Sequence, residues 1–228
     1  LYQELKVIEA EHPELISQDS PTQRVGNELL GGFQKVQHKS RMLSLNDVFV
    51  RADVEAWVKR VDKLLDGEPH EYFVDIKMDG LACSLIYQDG ILVQGVTRGD
   101  SFVGEDVTAN IRTIKNIPLR LHTQKGFENF LRGRTEIRGE IVMLKKDFVA
   151  LNKKRLNEGL PEFANPRNLA AGTIRQLDPS LVAKRPLSFN AYDVLRDDAA
   201  EVPTNMIAYE SASALGITRN KQAAVYTS

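Results

Sequence analysis

Apolar residues recur at helical spacing from the first position. Leu1, Leu5 and Ile8 fall on one stripe and predict an opening helix that ends near His12-Pro13. Residues 17–47 carry no period and are rich in turn formers, so they are expected to be irregular. A second stripe, Val54, Trp57, Val58, Val61, Leu64 and Leu65, predicts a helix capped by Asp53 and stopped by Gly67, with Trp57 as a core anchor. Beyond it the chain changes to the branched and aromatic runs that suit strands, over 72–77, 81–87 and 91–97. The last two flank Gln88-Asp89-Gly90, a hairpin signal, so an antiparallel sheet is expected.

Residues 105–114 predict a short helix with Val107, Ile111 and Ile114 facing inward. Over 134–143 the residues alternate, with Thr135, Ile137, Gly139, Ile141 and Met143 on one side and Glu136, Arg138, Glu140 and Val142 on the other. Three charges on an inward-facing strand side are costly unless paired or used, which favours a site there. A helix over 146–157 ends near Gly159. Asn165 caps the next, with Pro166 at its first position, and this helix carries Arg167 and Arg175 toward a common region. Helix amino termini suit phosphates. A strand over 187–194 and a helix over 204–215 complete an α+β pattern of antiparallel sheets flanked by helices.

Composition narrows this pattern little. The 228 residues, 42% hydrophobic and 27% charged, are ordinary for a globular protein with a sizeable core. No apolar run approaches a membrane span, and the amphipathic, partly acidic start is unlike a signal peptide, so a cytoplasmic protein is expected. The single Cys83 lies in an apolar strand and reads as a core residue, so neither a disulfide nor a zinc site can be built. His12, His38, His70 and His122 are scattered without ligand spacing, and no metal ligand is assigned. With a net charge of −1, any nucleic-acid contact must come from a local basic face. Arg167, Arg175, Lys184 and Arg185 form the candidate, whereas Arg132, Arg134, Lys145 and Lys146 read as solvated surface.

The sharpest chemical feature is Asp75-Ile76-Lys77-Met78-Asp79-Gly80, a lysine between two carboxylates at the end of an apolar strand. If the extended conformation holds, Asp75, Lys77 and Asp79 share one face. A lysine becomes a nucleophile only when unprotonated, and at a reference pKa of about 10.4 only about one amine in 2,500 is neutral at pH 7. Nearby positive charge and burial must supply roughly 4.6 kcal/mol to change that. Taken alone, the motif also suits a strand-end lysine in a surface salt bridge.

Its company separates the two. Thr97-Arg98-Gly99-Asp100, Gly104-Glu105-Asp106 with the following Val107 to Ile114, Arg138-Gly139-Glu140, and Phe163-Ala164-Asn165-Pro166-Arg167-Asn168 stand downstream. Together with the lysine motif they resemble the NAD-dependent bacterial DNA ligases, specifically the nucleotidyltransferase part of their adenylation domain. The similarity runs from the first residue to about Tyr192 and weakens after Leu195. The resemblance implies a covalent nucleotidyltransferase fold of the DNA ligase and capping-enzyme type. In that family the lysine attacks the α-phosphorus of NAD, releases nicotinamide mononucleotide and holds AMP. AMP then passes to a DNA 5′-phosphate, and the adjacent 3′-hydroxyl displaces it to seal the nick.

By that resemblance Lys77 matches the nucleophile, with Asp79 and Gly80 completing its motif. Arg98 matches a nucleotide-site arginine, and Glu140 the carboxylate that meets the ribose. Ser44, Leu45, Asp75 and Tyr192 match the adenine and nucleotide pocket, although the family usually has Glu where Asp75 stands. Arg167 and Arg175 match arginines that grip DNA phosphates, with Arg185 added from the same basic cluster. The implied small molecules are NAD and Mg2+, with zinc confined to a module outside this chain. The implied partner is nicked double-stranded DNA, for a monomer in the cytoplasm at the nucleoid.

The expected organisation is a remnant of the amino-terminal, mononucleotide-binding helical subdomain over 1–16 and a nucleotidyltransferase domain over 17–228. The family's two carboxy-terminal lysine strands have no counterpart in 195–228, so the chain is expected to be truncated there and inactive alone in nick sealing. The alternatives are an ATP- or GTP-dependent nucleotidyltransferase of RNA-ligase or capping type, a non-catalytic nucleotide- or DNA-binding module, and a structural relic.

Overall fold

The computed structural model describes residues 1–25, 29–122 and 124–227. In chain order the α-helices are α1 (Tyr2–Glu11), α2 (Arg51–Leu64), α3 (Thr108–Ile111), α4 (Lys145–Asn157), α5 (Pro166–Ile174), α6 (Pro179–Ala183) and α7 (Asn205–Ala214). The strands are β1 (Lys35–Gln37), β2 (Glu71–Val74), β3 (Leu81–Gln88), β4 (Ile91–Thr97), β5 (Val103–Glu105), β6 (Arg134–Met143), β7 (Leu187–Arg196) and β8 (Ala224–Thr227). Among the described residues no helix is long and apolar enough to cross a membrane.

The centre is an antiparallel sheet in the order β4-β3-β6-β7. Leu85 pairs with Ile137, and Ile137 with Val194, a row of buried side chains across three strands. These residues, with Cys83, Tyr87, Ile141 and Phe189, make one face of the sheet apolar, and Ile111, Ile174 and Leu215 close the core over it. The other face carries Glu136, Arg138 and Glu140. The alternation in β6 therefore places its charges as the sequence implied. Cys83 is buried in the core as expected. Two bulges, between Ile86 and Tyr87 and between Arg138 and Gly139, bend the ladders.

Four local expectations are corrected. Residues 17–47 are not wholly irregular: Pro21–Arg24 forms a 3-10 turn, and β1 pairs antiparallel with β5. Arg24 also donates to the carbonyls of Arg112, Ile114 and Ile117 at 3.0–3.3 Å, so side-chain bonds rather than apolar period dock this segment. Helix α2 starts before Asp53, whose carboxylate accepts from Phe49 N at 3.3 Å from inside the first turn. Its apolar stripe stays largely open, and Trp57 is 45% exposed, touching Tyr72 at 5.5 Å between ring centroids instead of anchoring the core.

The helix expected over 105–114 shrinks to α3, because the β1 pairing claims Glu105 and Asp106 turns the chain by accepting from Thr108 N at 3.0 Å. Val107, Ile111 and Ile114 are still buried. Strand β8, which the apolar pattern did not announce, pairs with β2 in a separate two-stranded ribbon.

Ile137 is fully buried at the middle of this core. Ile137→Ala is expected to lower the unfolding free energy by about 2–5 kcal/mol, measured by urea denaturation, with an unchanged m-value.

Candidate active site

Strand β2 ends at Val74 and β3 begins at Leu81, so the lysine motif lies in an irregular connection. The shared face expected for Asp75, Lys77 and Asp79 does not form. Asp75 explains why: its carboxylate accepts from Ile76 N at 2.7 Å and from the side chains of Tyr209 and Asn220. Tyr209 is buried on α7 and stands edge-on to Phe73 at 4.9 Å. Asn220 is positioned by the segment after α7, where Ala191 N in β7 donates to Thr218 O at 2.8 Å. These anchors draw the chain out of the ladder. Neither Tyr209 nor Asn220 carries a sequence signal, since one sits on a helix and the other in a loop far from the motif.

Beyond Asp75 the side chains of Lys77 and Asp79 are exposed. Asp79 accepts from Arg167 at 3.0 Å, and both partners are more than half exposed. Arg167 stands in the first turn of α5, where the Asn165 side chain accepts from Asn168 N at 2.7 Å and Pro166 occupies the first turn, as expected. Gly80 then passes against β6, donating to Glu140 Oε1 at 3.1 Å. A Cβ at Gly80 would lie 2.2 Å from the Ile141 carbonyl, so no larger residue fits.

Glu140 gathers the site. Burial raises its carboxyl pKa above 4.5, and the Gly80 N–H and the charges of Arg167, Arg98 and Lys77 offset this only in part. Arg98 follows β4, its N–H bonded to Ala82 O at 3.0 Å. The turn that aims it needs Gly99, at φ +57° and with a virtual Cβ 1.8 Å from Val103 O. Two residues on, Ser101 takes φ +82° without glycine's freedom. Tyr192, at the β6–β7 bulge, is half-buried, and burial first and the Glu140 charge second push its hydroxyl far above the ordinary pKa.

Glu136, four residues before Glu140 on the same face, behaves differently. Burial pushes its carboxyl up, but bonds from Arg134, Arg138 (2.8 Å) and Ser84 (2.8 Å) outweigh that and hold it below 4.5. Arg138 also donates to Ser40 O at 2.7 Å, Ser40 Oγ at 3.0 Å and Arg41 O at 2.9 Å. Met42 is buried and its N–H meets Ser101 O at 3.0 Å, so the segment leading to Ser44 and Leu45 is pinned to the loop after β4. Leu45 itself is 73% exposed.

The basic residues of α5 do not meet in one place. Arg167 engages Asp79, whereas Arg175 at the other end engages Glu105 at 3.1 Å. Arg185 lies over the Phe163 ring at 5.2 Å.

Residues 30–228 match the family described as NAD-dependent DNA ligase adenylation domain. The chain belongs to that family. Residues 1–26 match the DNA ligase-like, N-terminal NAD+-binding domain. A DNA ligase of Azotobacter vinelandii is 52% identical over 205 residues, which is 89% of this chain and 26% of the relative. One from Thermomicrobium roseum is 49% identical over 205 residues, 90% of this chain and 29% of the relative. One from Neisseria meningitidis serogroup C is 50% identical over 224 residues, 93% of this chain and 26% of the relative. This member of the adenylation-domain family thus spans between a quarter and a third of the length of these relatives.

Two predictions test the site's energetics. Ser101→Gly is expected to stabilise the protein by about 1 kcal/mol in chemical denaturation, by relieving the left-handed backbone. For Glu140, a carboxyl raised by folding destabilises the ionised protein, and that cost develops as pH rises from 4.5 through the folded pKa. Glu140→Gln is therefore expected to raise Tm at pH 7.5, and the gain should vanish in melts run below pH 4. A gain that persists in acid would contradict this account.

Proposed function

We propose that this chain is the lysine-adenylating part of an NAD-dependent DNA ligase, built on the covalent nucleotidyltransferase fold. The observation that carries the proposal is the convergence of Lys77, Arg98, Arg167 and the Gly80 N–H on the half-buried Glu140. A lysine and two arginines whose charges all act on one carboxylate suit attack on a phosphorus of a ribonucleotide. The arginines stabilise charge accumulating on the phosphate oxygens, and the carboxylate accepts from a ribose hydroxyl.

In this mechanism Lys77 Nζ, after losing a proton to solvent, attacks the α-phosphorus of NAD. A P–N bond forms, the bond to the bridging oxygen breaks, and nicotinamide mononucleotide leaves with that electron pair. Asp79, Arg98 and Glu140 serve this step beside Lys77. Ser44, Leu45, Asp75, Gly80 and Tyr192 shape the nucleotide pocket. A DNA 5′-phosphate then attacks the lysyl-AMP phosphorus and frees the amine, and a 3′-hydroxyl attacks the activated 5′-phosphate to release AMP.

Arg167, Arg175 and Arg185 are assigned to phosphates of nicked duplex DNA. The Arg167–Asp79 and Arg175–Glu105 pairs favour this, because exposed ion pairs are worth at most about 1 kcal/mol and exchange readily for a phosphate. Among the described residues no three of His, Cys, Asp and Glu converge. Magnesium, where the reaction uses it, would be held chiefly by the dinucleotide's phosphate oxygens and would neutralise their charge. A monomer at the nucleoid completes the proposal. Use of ATP or GTP, as in RNA ligases and capping enzymes, is the alternative chemistry, and retention of the fold for nucleotide or DNA binding alone is the non-catalytic one.

Intact mass after incubation with magnesium and NAD, with ATP in parallel, distinguishes these. The expected result is a gain of one AMP from NAD alone that disappears in Lys77→Ala, without nick sealing by the isolated chain. A gain from ATP alone would reassign the chain to the ATP-dependent class. No gain from either would remove the covalent step from this chain.

A further inference from the structure

Asn152, buried on α4, clamps the segment between α4 and α5: Phe163 N donates to its Oδ1 at 2.9 Å and its Nδ2 donates to Phe163 O at 3.1 Å. The Phe163 ring is thereby held beside two guanidinium groups, Arg155 at 4.2 Å and Arg185 at 5.2 Å from its centroid. The ring attracts both cations, while the two like charges repel each other. Arg155 donates from its Nε to Pro161 O at 2.7 Å, and the Arg185 side chain makes no hydrogen bond or ion pair among the described residues. Burial, and then the charge of Arg155, hold the Arg185 guanidinium below its ordinary pKa.

This stack lines a groove of about 500 Å³ between α4, α5 and α6. Lys154 and Lys184 add to its positive charge, and Glu158, 3.8 Å from Lys154, is the single carboxylate lining it among the described residues. Four cations facing one carboxylate form a local positive field that the chain's net charge of −1 does not foreshadow. Planar guanidinium groups bind phosphate oxygens in pairs, which suits a fixed Arg–Phe–Arg stack better than a diffuse lysine surface. The groove also shares α5 with Arg167, which reaches the lysine motif, so one strand could run from Asp79 past Asn165 into it.

We propose that the Arg155–Phe163–Arg185 groove seats a phosphodiester segment of the nucleic-acid strand, as a second grip beyond the lysine site. The inference rests on the DNA reading of the chain and deepens it, because Arg155, Phe163 and Lys154 extend the contact well past the arginines of α5. Phe163 holds both guanidinium groups at the groove through its ring, so it is a positioning residue.

The test is fluorescence anisotropy of a labelled nicked duplex at several salt concentrations, using the whole chain, Arg155→Gln with Arg185→Gln, and Phe163→Leu, each checked by thermal melt. The double variant is expected to bind about tenfold more weakly, with the slope of log K against log salt shallower by about one per lost phosphate contact. Phe163→Leu, which keeps both charges, should fall between. Wild-type affinity and slope in the double variant, with binding lost in Arg167→Ala with Arg175→Ala, would overturn the groove and leave the DNA reading intact. No duplex binding by the wild type would overturn both. Inorganic tripolyphosphate bound by the wild type and lost in the double variant, with duplex affinity unchanged, would assign the groove to free polyphosphate and overturn the proposal.

Discussion

A single buried guanidinium organises the polar face of the central sheet. Arg138 neutralises Glu136 on its own strand and takes up the carbonyls of Ser40 and Arg41, so one side chain joins the sheet to the segment that leads to Ser44 and Leu45. Such a pair adds little net stability, because desolvation of both charges offsets their attraction, but removing either partner leaves a buried charge at a cost of about 3–5 kcal/mol. The contact therefore fixes which loop covers the sheet. It adds a side-chain anchor on the sheet to the short β1–β5 ladder, the Arg24 contacts and the bonds of His38 and Met42 to the loop after β4.

Two carboxylates on the same face of β6 are thereby given different characters. Glu136 has two arginines and a serine in direct contact and remains ionised. Glu140 has burial and one backbone N–H, with its cations farther off, and its carboxyl is raised. Environments that push neighbouring pKa values apart separate a structural group from a reactive one. Near Glu140 the Arg167–Asp79 pair is exposed and exchangeable, so the site combines a rigid floor with a replaceable outer charge pair.

The lysine connection is held by long-range contacts rather than by strand pairing. Asp75 is gripped by Tyr209 on α7 and by Asn220 after it, and both depend on the packing of the carboxy-terminal segment along β7. The donors that hold Asp75 thus come from a carboxy-terminal segment that the family match also covers. The orientation of Lys77 is tied to elements more than a hundred residues downstream.

Much of the scaffold was legible before any coordinates: the β3–β4 hairpin from its Asp89-Gly90 turn, the alternating faces of β6, and the capped start of α5. Each rests on a local rule, a backbone preference or a period of two, that needs no distant partner. The motif residues around Lys77 were legible from their chemistry and their resemblance to a family, whereas the close approach of Gly80 to Ile141 was not. Illegible were the open face of α2, the break of the strand at Asp75, the divergence of Arg167 from Arg175, and the Arg155–Phe163–Arg185 stack. The sequence by itself determined the chemistry available and the local elements that carry it. Only the tertiary structure decided which charges are paired, buried or left facing a groove, because electrostatic partnership depends on distances that periodicity does not encode.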